Sequence, residues 1–484
     1  MARRRGNPDR PEPAAGDEDA RDALPTGRYR RAASLGRLAA GAAVREGATR
    51  VTNLGRTDAE RSERMSRQQF QTAEQIVDVL GTMKGAAMKV GQVLSFMDVG
   101  LVPPEHRDEF QAKLARLRDM APTVAFRDMR KVMEADMGQP LSAVFADVEE
   151  EPIGAASIGQ VYRARLREKP RGWRTDVAAV KVQYPGIDAA VRADLQNMGL
   201  ILRLAKTVVP GMDVQSVGRE ITERTIEELD YELEASNQRR MARLHRDHPF
   251  VLVPGVSTEL SGRRVIVTEF VDGQPFDAWT TKSQEERDRL AEIVFRFYYG
   301  GVWRDGQFSA DPHPGNSILL PDGRVAFLDY GLFHQISREM VENQAQAIRL
   351  CMARDGEALL RHMEAIDWVP PSAGFTPDDA LALAEQLVWF AIEDEDSRLA
   401  PEDVARMIFQ VGDPRSPYWA KTRRATVPAE YMMSLRLAGM AIAVCAQLDA
   451  RLNYHRIVRE WLMGDPPASE LGRQEAAWLA RRGR

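Results

Sequence analysis

The chain is poor in cysteine and in long apolar runs. Its 484 residues include only two cysteines, Cys351 and Cys445, which lie 94 positions apart and outside any CxxC pair. This spacing excludes a disulfide framework and a thiolate zinc site, and it fits a reducing compartment. The longest stretch without a charged residue, Leu437 to Leu448, has twelve positions, whereas a membrane-spanning helix needs about 20 apolar residues. We therefore expect no helix that crosses a bilayer.

A net positive charge and an export signal are also missing. The chain carries 66 Lys and Arg against 71 Asp and Glu, a formal charge of −5, so no overall basic field would attract nucleic acid. The first residues are charged from Arg3 onward and lack the apolar centre of a secretory signal. The sequence therefore predicts a cytoplasmic protein that does not bind nucleic acid.

The N-terminal region differs in composition from the rest. Residues 1–26 are rich in Pro, Gly, Asp and Arg and have almost no large apolar side chains, which predicts a disordered tail. The Ala- and Arg-rich stretch from Tyr29 to Arg67 predicts a weak amphipathic helix. Residues 1–70 hold 15 Lys and Arg against 10 Asp and Glu. This excess could favour an anionic lipid surface, and a solvated helix face explains it equally well.

Apolar spacing divides the remaining chain into helical and sheet-forming parts. From Gln68 to Met97 apolar residues recur every three or four positions, which is a helical period. After Pro122 a helix near Phe126 to Met137 precedes several runs of alternating β-branched residues, typical of strands. A charged helical region covers about Val214 to His245. From Phe276 onward the pattern is nearly all helical, with one interruption.

That interruption, SADPHPGNSILLPDGRVAFLDYG, is the most specific segment of the chain. Asp311 is followed five positions later by Asn316, and two apolar runs joined by a PDG turn lead to Asp329 and Gly331. Phosphoryl transfer needs one carboxylate beside the acceptor hydroxyl or a metal. It also needs two ligands for Mg²⁺, a second carboxylate and a side chain that carries a carbonyl. Kinases supply these from an Asp-x-x-x-x-Asn loop, a β-hairpin and an Asp-Phe-Gly element, in this order. Turn-forming residues explain each position singly but not the order.

Upstream, the run VAAVKVQY places Lys181 on a predicted strand, in the context of the kinase β3 lysine. About 50 residues later the predicted helix supplies three acids, Glu228, Asp230 and Glu234, one of which a kinase would pair with the lysine. Asp230 and Glu234 are four positions apart, so we expect them to share one helix face.

The expected phosphate loop departs from both common patterns. Before Lys181 stands the run GAASIGQ, from Gly154 to Gln160, instead of G-x-G-x-x-G. Its spacing resembles a Walker A loop, but Gln160 replaces the lysine on which that mechanism depends. Alanine at the centre of the loop limits left-handed φ and close approach to phosphate, so nucleotide handling should be unusual.

Together these segments resemble the UbiB/AarF/ADCK atypical kinase-like family. The segments that carry the resemblance are Lys89-Val90-Gly91-Gln92, Ala155 to Gln160, Lys181, Glu228-Leu229-Asp230, Asp311 to Asn316 and Asp329-Tyr330-Gly331. The resemblance implies an α+β, protein-kinase-like two-lobed fold with a small antiparallel-sheet lobe and a helical lobe. It places a helical extension with the KxGQ motif at 27–122, the sheet lobe at 123–273 and the helical lobe at 274–484.

The resemblance also implies roles for residues of the nucleotide site. Lys181 would contact phosphate with Glu234 as its partner, Asp311 would be the catalytic-loop aspartate, and Asn316 and Asp329 would hold Mg²⁺.

Further implied roles concern the nucleotide itself. Ala155, Ala156 and Ser157 would cover the phosphates, and the backbone of Glu269 to Val271 would receive adenine. Two departures from the family pattern occur: Ser309 stands where His is frequent, and Tyr330 stands where Phe is usual.

A last set of implied residues would close the cleft to a protein substrate. Lys89, Gly91 and Gln92 of the KxGQ motif would cover it, with Lys89 facing Glu228 and Asp230. Members of the family bind ATP or ADP with Mg²⁺, show ATPase activity, and support isoprenoid quinone biosynthesis or lipid homeostasis.

Three functions stay open from the sequence. The first is an ATPase or atypical kinase that acts on a small or lipid-linked acceptor, such as a quinone precursor, alongside quinone-pathway enzymes. The second is a nucleotide-regulated scaffold for lipid-pathway enzymes. The third is a small-molecule kinase of the aminoglycoside or choline kinase type, against which the KxGQ motif argues. Peripheral contact with the inner face of the cell membrane is compatible with the first two.

Overall fold

The computed structural model describes residues 124–156, 158–193, 195, 219, 222, 225–400, 402–404 and 428–483. The predicted tail at 1–26, the predicted extension at 27–122 and the whole KxGQ motif lie outside these residues. So does Ser157 of the Ala-rich loop.

The described chain begins with helix α1, Phe126–Met137, as the sequence predicts. Met129, Val132 and Met133 lie on one face of α1 and are buried, and Gly138 ends it with a left-handed φ of 67°. The Asp136 carboxylate accepts hydrogen bonds from the backbone N–H of Arg264 and Val265, both at 3.0 Å. Helix α1 is therefore fixed against the sheet that follows it.

The N-terminal sheet has six strands in the order β1–β3–β4–β7–β6, with β2 paired to β3 outside this row. Each of these pairings is antiparallel. A four-residue helix, α2 (Leu141–Val144), precedes the sheet. The strands are β1 (Phe145–Val148), β2 (Gly154–Ala156), β3 (Gly159–Leu166), β4 (Val177–Gln183), β6 (Val256–Ser257) and β7 (Val265–Glu269).

Helix α3 (Tyr231–Leu244) packs against strands β6 and β7 of this lobe. The prediction that Asp230 and Glu234 share a helix face is wrong, because Asp230 is the N-cap and the residues before it form a turn. An aspartate side chain can satisfy the free N–H groups of a first helical turn. Asp230 does this for Glu232 and Leu233, both at 3.1 Å.

The predicted strand run FVLVPGVSTE divides between two sheets. Its first part, β5 (Val251–Leu252), pairs in parallel with β11 of a second sheet, and its second part is β6 of the first sheet. Pro254 lies between the two parts, and its carbonyl accepts a hydrogen bond from Gln238 of α3 at 2.9 Å. Proline cannot donate to a ladder, so the chain changes sheets here.

The second sheet carries the hairpin that the sequence predicts. Its order is β5–β11–β10–β8, and β10 and β11 are antiparallel neighbours with Ser317 opposite Phe327. A short ladder, β9 with β12, lies on either side of this hairpin in the sequence. The strands are β8 (Gln274–Pro275), β9 (Gln307–Ser309), β10 (Ser317–Leu319), β11 (Val325–Phe327) and β12 (Phe333–Gln335).

Helices make up most of the rest of the described chain, as predicted. The central one is α4 (Gln284–Gly300), which opens with a Ser283–Glu286 capping box and is buried from Leu290 to its end. The other helices are α5 (Arg338–Met352), α6 (Gly356–Ala365), α7 (Pro377–Val388), α8 (Ala429–Gln447), α9 (Tyr454–Leu462) and α10 (Glu470–Arg481). Strands β13 (Ser397–Arg398) and β14 (Arg451–Leu452) pair with each other. Within the described residues, no helix is both long and apolar enough to cross a membrane.

A set of charged side chains joins α4, α9 and α10 in the interior of the helical lobe. We call it the buried ion network; its members are Arg296, Arg304, Glu292, Glu460 and Glu475. Arg296 has no exposed surface and donates to Glu292, Glu460 and Glu475 at 2.6 to 3.0 Å. The network anchors the last helix of the described chain to the lobe.

Candidate active site

Strand β4 points Lys181 toward helix α3. Alternate residues of β4 (Ala178, Val180 and Val182) are buried in the sheet core, so Lys181 lies on the opposite face. Its Nζ is 2.9 and 3.0 Å from the two carboxylate oxygens of Glu234. Of the three acids the sequence offers as partners, Glu234 is the one in contact with the lysine.

A second carboxylate lies near the same ammonium. Asp329 Oδ2 is 3.7 Å from Lys181 Nζ, and the Tyr231 ring lies 4.9 Å below it. Burial alone would lower the pKa of Lys181, but the charges of Glu234 and Asp329 outweigh it and raise that pKa well above its usual range. Lys181 is therefore a fixed positive charge, and we call Lys181, Glu234 and Asp329 the cleft cluster.

The β10–β11 hairpin brings Asn316 and Asp329 to one end of the second sheet. Asn316 directly precedes β10, and its carbonyl accepts a hydrogen bond from Leu328 N–H at 3.0 Å. Asp329 follows Leu328 and lies two residues after the end of β11. Since the pairing is antiparallel, the two side chains predicted to hold metal leave the hairpin at its open end.

Asp311 joins this group through the β9–β12 ladder. The N–H of Ala310 donates to the carbonyl of Leu332 at 2.8 Å, so Asp311 follows a strand that is paired to the chain just after Asp329. The charges of Asp311 and Asp329 both act on the buried Tyr298 phenol. Together with burial, they raise the pKa of Tyr298 well above its usual range. Tyr298 therefore presents a protonated hydroxyl near the two aspartates.

The backbone around Asp329 is held by several hydrogen bonds. Gly331 N–H donates to Asp329 Oδ1 at 2.9 Å, and Ser309 Oγ donates to the Asp329 carbonyl at 3.0 Å. Asn237 Nδ2 of α3 donates to the Tyr330 carbonyl at 3.3 Å. The sequence pointed to Ser309 only as a departure from the family pattern, and it gave no signal for Asn237.

The Ala-rich loop joins β2 and β3, which pair as antiparallel neighbours. Ala156 pairs with Gly159, and Ala155 pairs with Gln160. A Cβ at Gly159 would meet the Val182 carbonyl at 2.1 Å, so only glycine lets β3 approach β4 this closely. The loop therefore ends two residues from Lys181 along the paired strand.

The segment predicted to receive adenine is already partly committed to other contacts. The Glu269 carboxylate, which is buried, accepts from Arg174 Nε at 3.1 Å, so its side chain serves the loop between β3 and β4. The N–H groups of Glu269 and Phe270 donate to the carbonyls of Gly255 and Val177. An adenine ring that accepts from a backbone N–H would therefore have to use the next one, at Val271.

Glu228 and Asp230 stand in the turn that leads into α3. Gln183, two residues after Lys181, donates to the Leu229 carbonyl at 2.9 Å, which holds this turn against β4. Asp230 caps α3. Their predicted partner Lys89 lies outside the described residues, so the cleft-covering role of these acids stays a prediction.

The residues at the site supply few metal ligands of their own. Within the described part of the chain, no group of three or more His, Cys, Asp or Glu could hold a metal ion. Asp329 and Asn316 offer one carboxylate and one amide carbonyl. This donor set fits Mg²⁺ that arrives on a nucleotide, because Mg²⁺ in kinase sites takes one or two carboxylates plus phosphate oxygens.

The comparisons with known proteins agree with this geometry. The profile of the ABC1 atypical kinase-like domain matches residues 116–363. The chain is 28% identical over 461 residues to the atypical kinase COQ8B, mitochondrial, of Rattus norvegicus, covering 92% of this chain and 84% of that protein. It is 33% identical over 295 residues to the protein ACTIVITY OF BC1 COMPLEX KINASE 3, chloroplastic, of Arabidopsis thaliana. That match covers 60% of this chain and 40% of the plant protein, so it spans less than half of that relative's length.

A solved structure shares the fold. The complex of Rv3197 with erythromycin from Mycobacterium tuberculosis matches with a TM-score of 0.60 and 30% identity, over 83% of this chain and 98% of that one. The antiparallel sheet with its helical lobe is thus a kinase-like α+β fold, as the sequence predicts. The profile match covers more than half of the chain, and the resemblance seen in the sequence is confirmed: the protein belongs to the ABC1 atypical kinase-like family, to which the UbiB and AarF names refer.

Proposed function

We propose that this protein binds a magnesium–adenine nucleotide beside the cleft cluster and hydrolyses ATP or transfers its phosphoryl group to a non-protein acceptor. The observation that carries the proposal is the contact of Lys181 with both Glu234 and Asp329. A kinase-type site needs this arrangement, because one ammonium must meet phosphate while its helix partner and the metal-binding aspartate stay in place.

Each residue of the site has a role in this proposal. Lys181, held by Glu234, would bind the phosphates as a fixed charge. Asn316 and Asp329 would hold Mg²⁺, which neutralises phosphate charge as it develops in phosphoryl transfer. Asp311 would orient the attacking hydroxyl or water and accept its proton.

The nucleotide would lie against the first sheet. Strand β2, which contains Ala155 and Ala156, would cover the phosphates, and the backbone at Val271 would receive the adenine edge. Because the loop carries methyl groups where many kinases have glycine, its approach to the terminal phosphate is restricted. We therefore expect the relative affinities of this site for ATP and ADP to differ from those of ordinary kinases.

For the acceptor, we propose a lipid or a quinone precursor. The family resemblance implies isoprenoid quinone biosynthesis or lipid homeostasis, and relatives carry the names COQ8B and ACTIVITY OF BC1 COMPLEX KINASE 3. The basic excess of residues 1–70 would support peripheral contact with an anionic membrane face.

The metal-site assignment is tested by nucleotide-dependent stabilisation. Ligand at about a hundred times Kd adds about 2.7 kcal/mol to the free energy of unfolding, so MgADP should raise the melting temperature of the wild type by several degrees. Asp329→Asn should lose this rise. Asp322→Asn is the matched control, because Asp322 lies on the same hairpin but bonds only with its neighbour Arg324 in the turn. An equal MgADP shift in all three proteins would reject the assignment.

The reaction class is tested by turnover. Sustained phosphate release that rises with a phenolic quinone precursor or with anionic vesicles supports an enzyme, whereas stoichiometric nucleotide binding without release supports the scaffold. Because the structural relative is known as a complex with erythromycin, the macrolide belongs in the same panel. A labelled phosphate found on an aminoglycoside or choline would instead favour the small-molecule kinase.

A further inference from the structure

Two consecutive backbone carbonyls of the Asp329-Tyr330-Gly331 segment are held by side chains from different elements. Ser309 Oγ, at the end of β9, donates to the Asp329 carbonyl. Asn237 Nδ2, in the middle of α3, donates to the Tyr330 carbonyl. The two carbonyls belong to the peptide groups on either side of Tyr330, so the two bonds together fix the orientation of both.

The serine hydroxyl lies in a protected environment. Only 2% of Ser309 is exposed, and the residue pairs with Phe333 of β12 across the ladder that flanks the segment. A buried hydroxyl that donates to a carbonyl has no water to replace that acceptor, so the bond is maintained. The Asp329 carboxylate itself accepts a hydrogen bond from Gly331 N–H at 2.9 Å, which orients it.

The asparagine belongs to a face of α3 that is attached to the same ladder. Arg240, one turn after Asn237, donates to Gln307 Oε1 of β9 at 2.7 Å, and its guanidinium lies over the Phe333 ring of β12 at 5.6 Å. One turn before Asn237 is Glu234, the partner of Lys181. The helix thus contacts the lysine at one position and the metal-binding segment at the next turn.

We propose that Ser309 and Asn237 are positioning residues for Asp329, and that Asn237 makes the orientation of Asp329 depend on the helix that carries Glu234. Ser309 holds the Asp329 carbonyl against β9, so the carboxylate faces Lys181. Asn237 transmits the position of α3, because any shift that separates Glu234 from Lys181 also releases the Tyr330 carbonyl. The inference rests on the proposed nucleotide site, and it adds a coupling between its two halves.

The test measures the ratio of the ADP dissociation constant in EDTA to that in Mg²⁺, by titration calorimetry on the full chain. Ser309→Ala should lower this ratio about fivefold, the effect of one buried hydrogen bond, and should leave the EDTA value unchanged. Ser434→Ala is the matched control, because Ser434 is also buried and donates to a carbonyl, that of Tyr431, on α8. Both variants should lose similar thermal stability, but only Ser309→Ala should change the ratio. Ser309→Thr, which keeps the hydroxyl, should restore it.

The coupling is tested with Asn237→Ala, Glu234→Gln and the double variant, and with Ser236→Ala as the exposed control on α3. If the helix links the two halves, the effects on the ratio are not additive, and Asn237→Ala changes it less in the Glu234→Gln background. Additive effects, or a Ser309→Ala ratio equal to that of Ser434→Ala, would overturn the inference. A wild type that does not bind ADP at all would instead reject the proposed function.

Discussion

Two groups of buried charges in this protein differ in how completely their members are enclosed. In the buried ion network, Arg296 has no exposed surface and donates to three carboxylates. In the cleft cluster, the Lys181 and Asp329 side chains keep 21% and 28% of their surface exposed and stay 3.7 Å apart. The side chains of the first group are at most 13% exposed, whereas the second group opens to solvent where phosphate would bind.

We expect this difference to separate charges that stabilise the fold from charges that bind a ligand. Glu460 accepts from both guanidinium nitrogens of Arg296 and from Ala468 N–H, and Glu475 accepts from both Arg296 and Arg304. Such a network holds three helices together and offers no surface to a ligand. Burial of charge is therefore a poor marker of a site, whereas a fixed charge that faces an open cleft is a good one.

The largest expected effect comes from removing the central arginine of the buried ion network. Arg296→Met would leave the carboxylates of Glu292 and Glu460 without this cation and would remove one of the two arginines that pair with Glu475. Breaking a buried ion pair in this way typically costs about 3–5 kcal/mol. The free energy of unfolding from urea titration measures this loss. Arg473→Met, an exposed arginine of α10 that pairs with Glu470, should change it by less than about 1 kcal/mol.

A soluble, folded Arg296→Met protein with wild-type stability would contradict the assigned role of the network. If that variant does not fold, Glu460→Gln provides the test. It removes one carboxylate and keeps the arginine, so it should destabilise the protein by a smaller, measurable amount.

The next largest expected effect is a pH dependence of the unfolding free energy, caused by a histidine beside the buried ion network. His245 is buried among His248, Trp478, Arg304 and Asp305. Its burial, with the charge of His248, lowers its pKa to about 3. The unfolded value is about 6.5, so the stabilising contribution is complete above pH 6.5 and is lost as the pH falls toward 3. The loss is about 1.4 kcal/mol per pH unit for one proton.

His245→Phe keeps the ring and removes the titration. Between pH 6 and pH 4 its unfolding free energy should therefore fall less steeply than that of the wild type. The difference in slope should be about 1.4 kcal/mol per pH unit, the value for one proton. Equal slopes for the two proteins would show that His245 does not titrate in this range.

Removing the lysine of the cleft cluster should lower stability less than breaking the buried ion network, and it should weaken nucleotide binding more. Lys181→Met leaves Glu234 and Asp329 facing each other, but solvent reaches the cleft, so we expect a loss of about 1–2 kcal/mol and no detectable MgADP binding. Lys282→Met, whose partner Glu286 is exposed, should bind MgADP normally. Nucleotide affinity that survives in Lys181→Met would place the phosphates elsewhere.

The smallest effect concerns the turn above the cleft. Ala156→Gly should relax the backbone over the phosphates and change the ratio of the ATP and ADP dissociation constants a few-fold, with about 0.5–1 kcal/mol lost from stability. Ala164→Gly, on β3 of the same sheet, should show the stability loss alone. If both variants keep the wild-type ratio, Ala156 serves packing only.

Much of the fold could be predicted because local patterns specify it. The bounds of α1 follow from its apolar spacing and Gly138, and the β10–β11 hairpin follows from two apolar runs joined by a PDG turn. The division of FVLVPGVSTE between two sheets could not be predicted, because β5 pairs with a strand more than 70 residues later. Neither could the break in the charged helical region just before α3, where the Asp230 side chain caps a new helix instead of continuing the old one.

The site shows the same limit. Lys181, Asp311, Asn316 and Asp329 stand in short motifs whose order carries the information. The helix partner Glu234 had two acidic competitors, and only the fold distinguishes it. Asn237 contacts the Tyr330 carbonyl across 93 positions, and the buried ion network joins residues up to 179 positions apart. Such contacts have no local sequence signature.

The most direct test of the cleft cluster is covalent labelling with an acyl-phosphate derivative of ADP. When such a probe binds, the lysine beside the phosphates first gives up a proton to solvent, and its neutral amine then attacks the acyl carbonyl. An amide forms, the bond between the acyl carbon and the phosphate oxygen breaks, and ADP leaves. We expect acylation of Lys181, read by peptide mass spectrometry, and its suppression by excess MgATP, while Lys282 shows no ATP-sensitive labelling. ATP-sensitive acylation of another lysine, with Lys181 unmodified, would contradict the placement of the nucleotide.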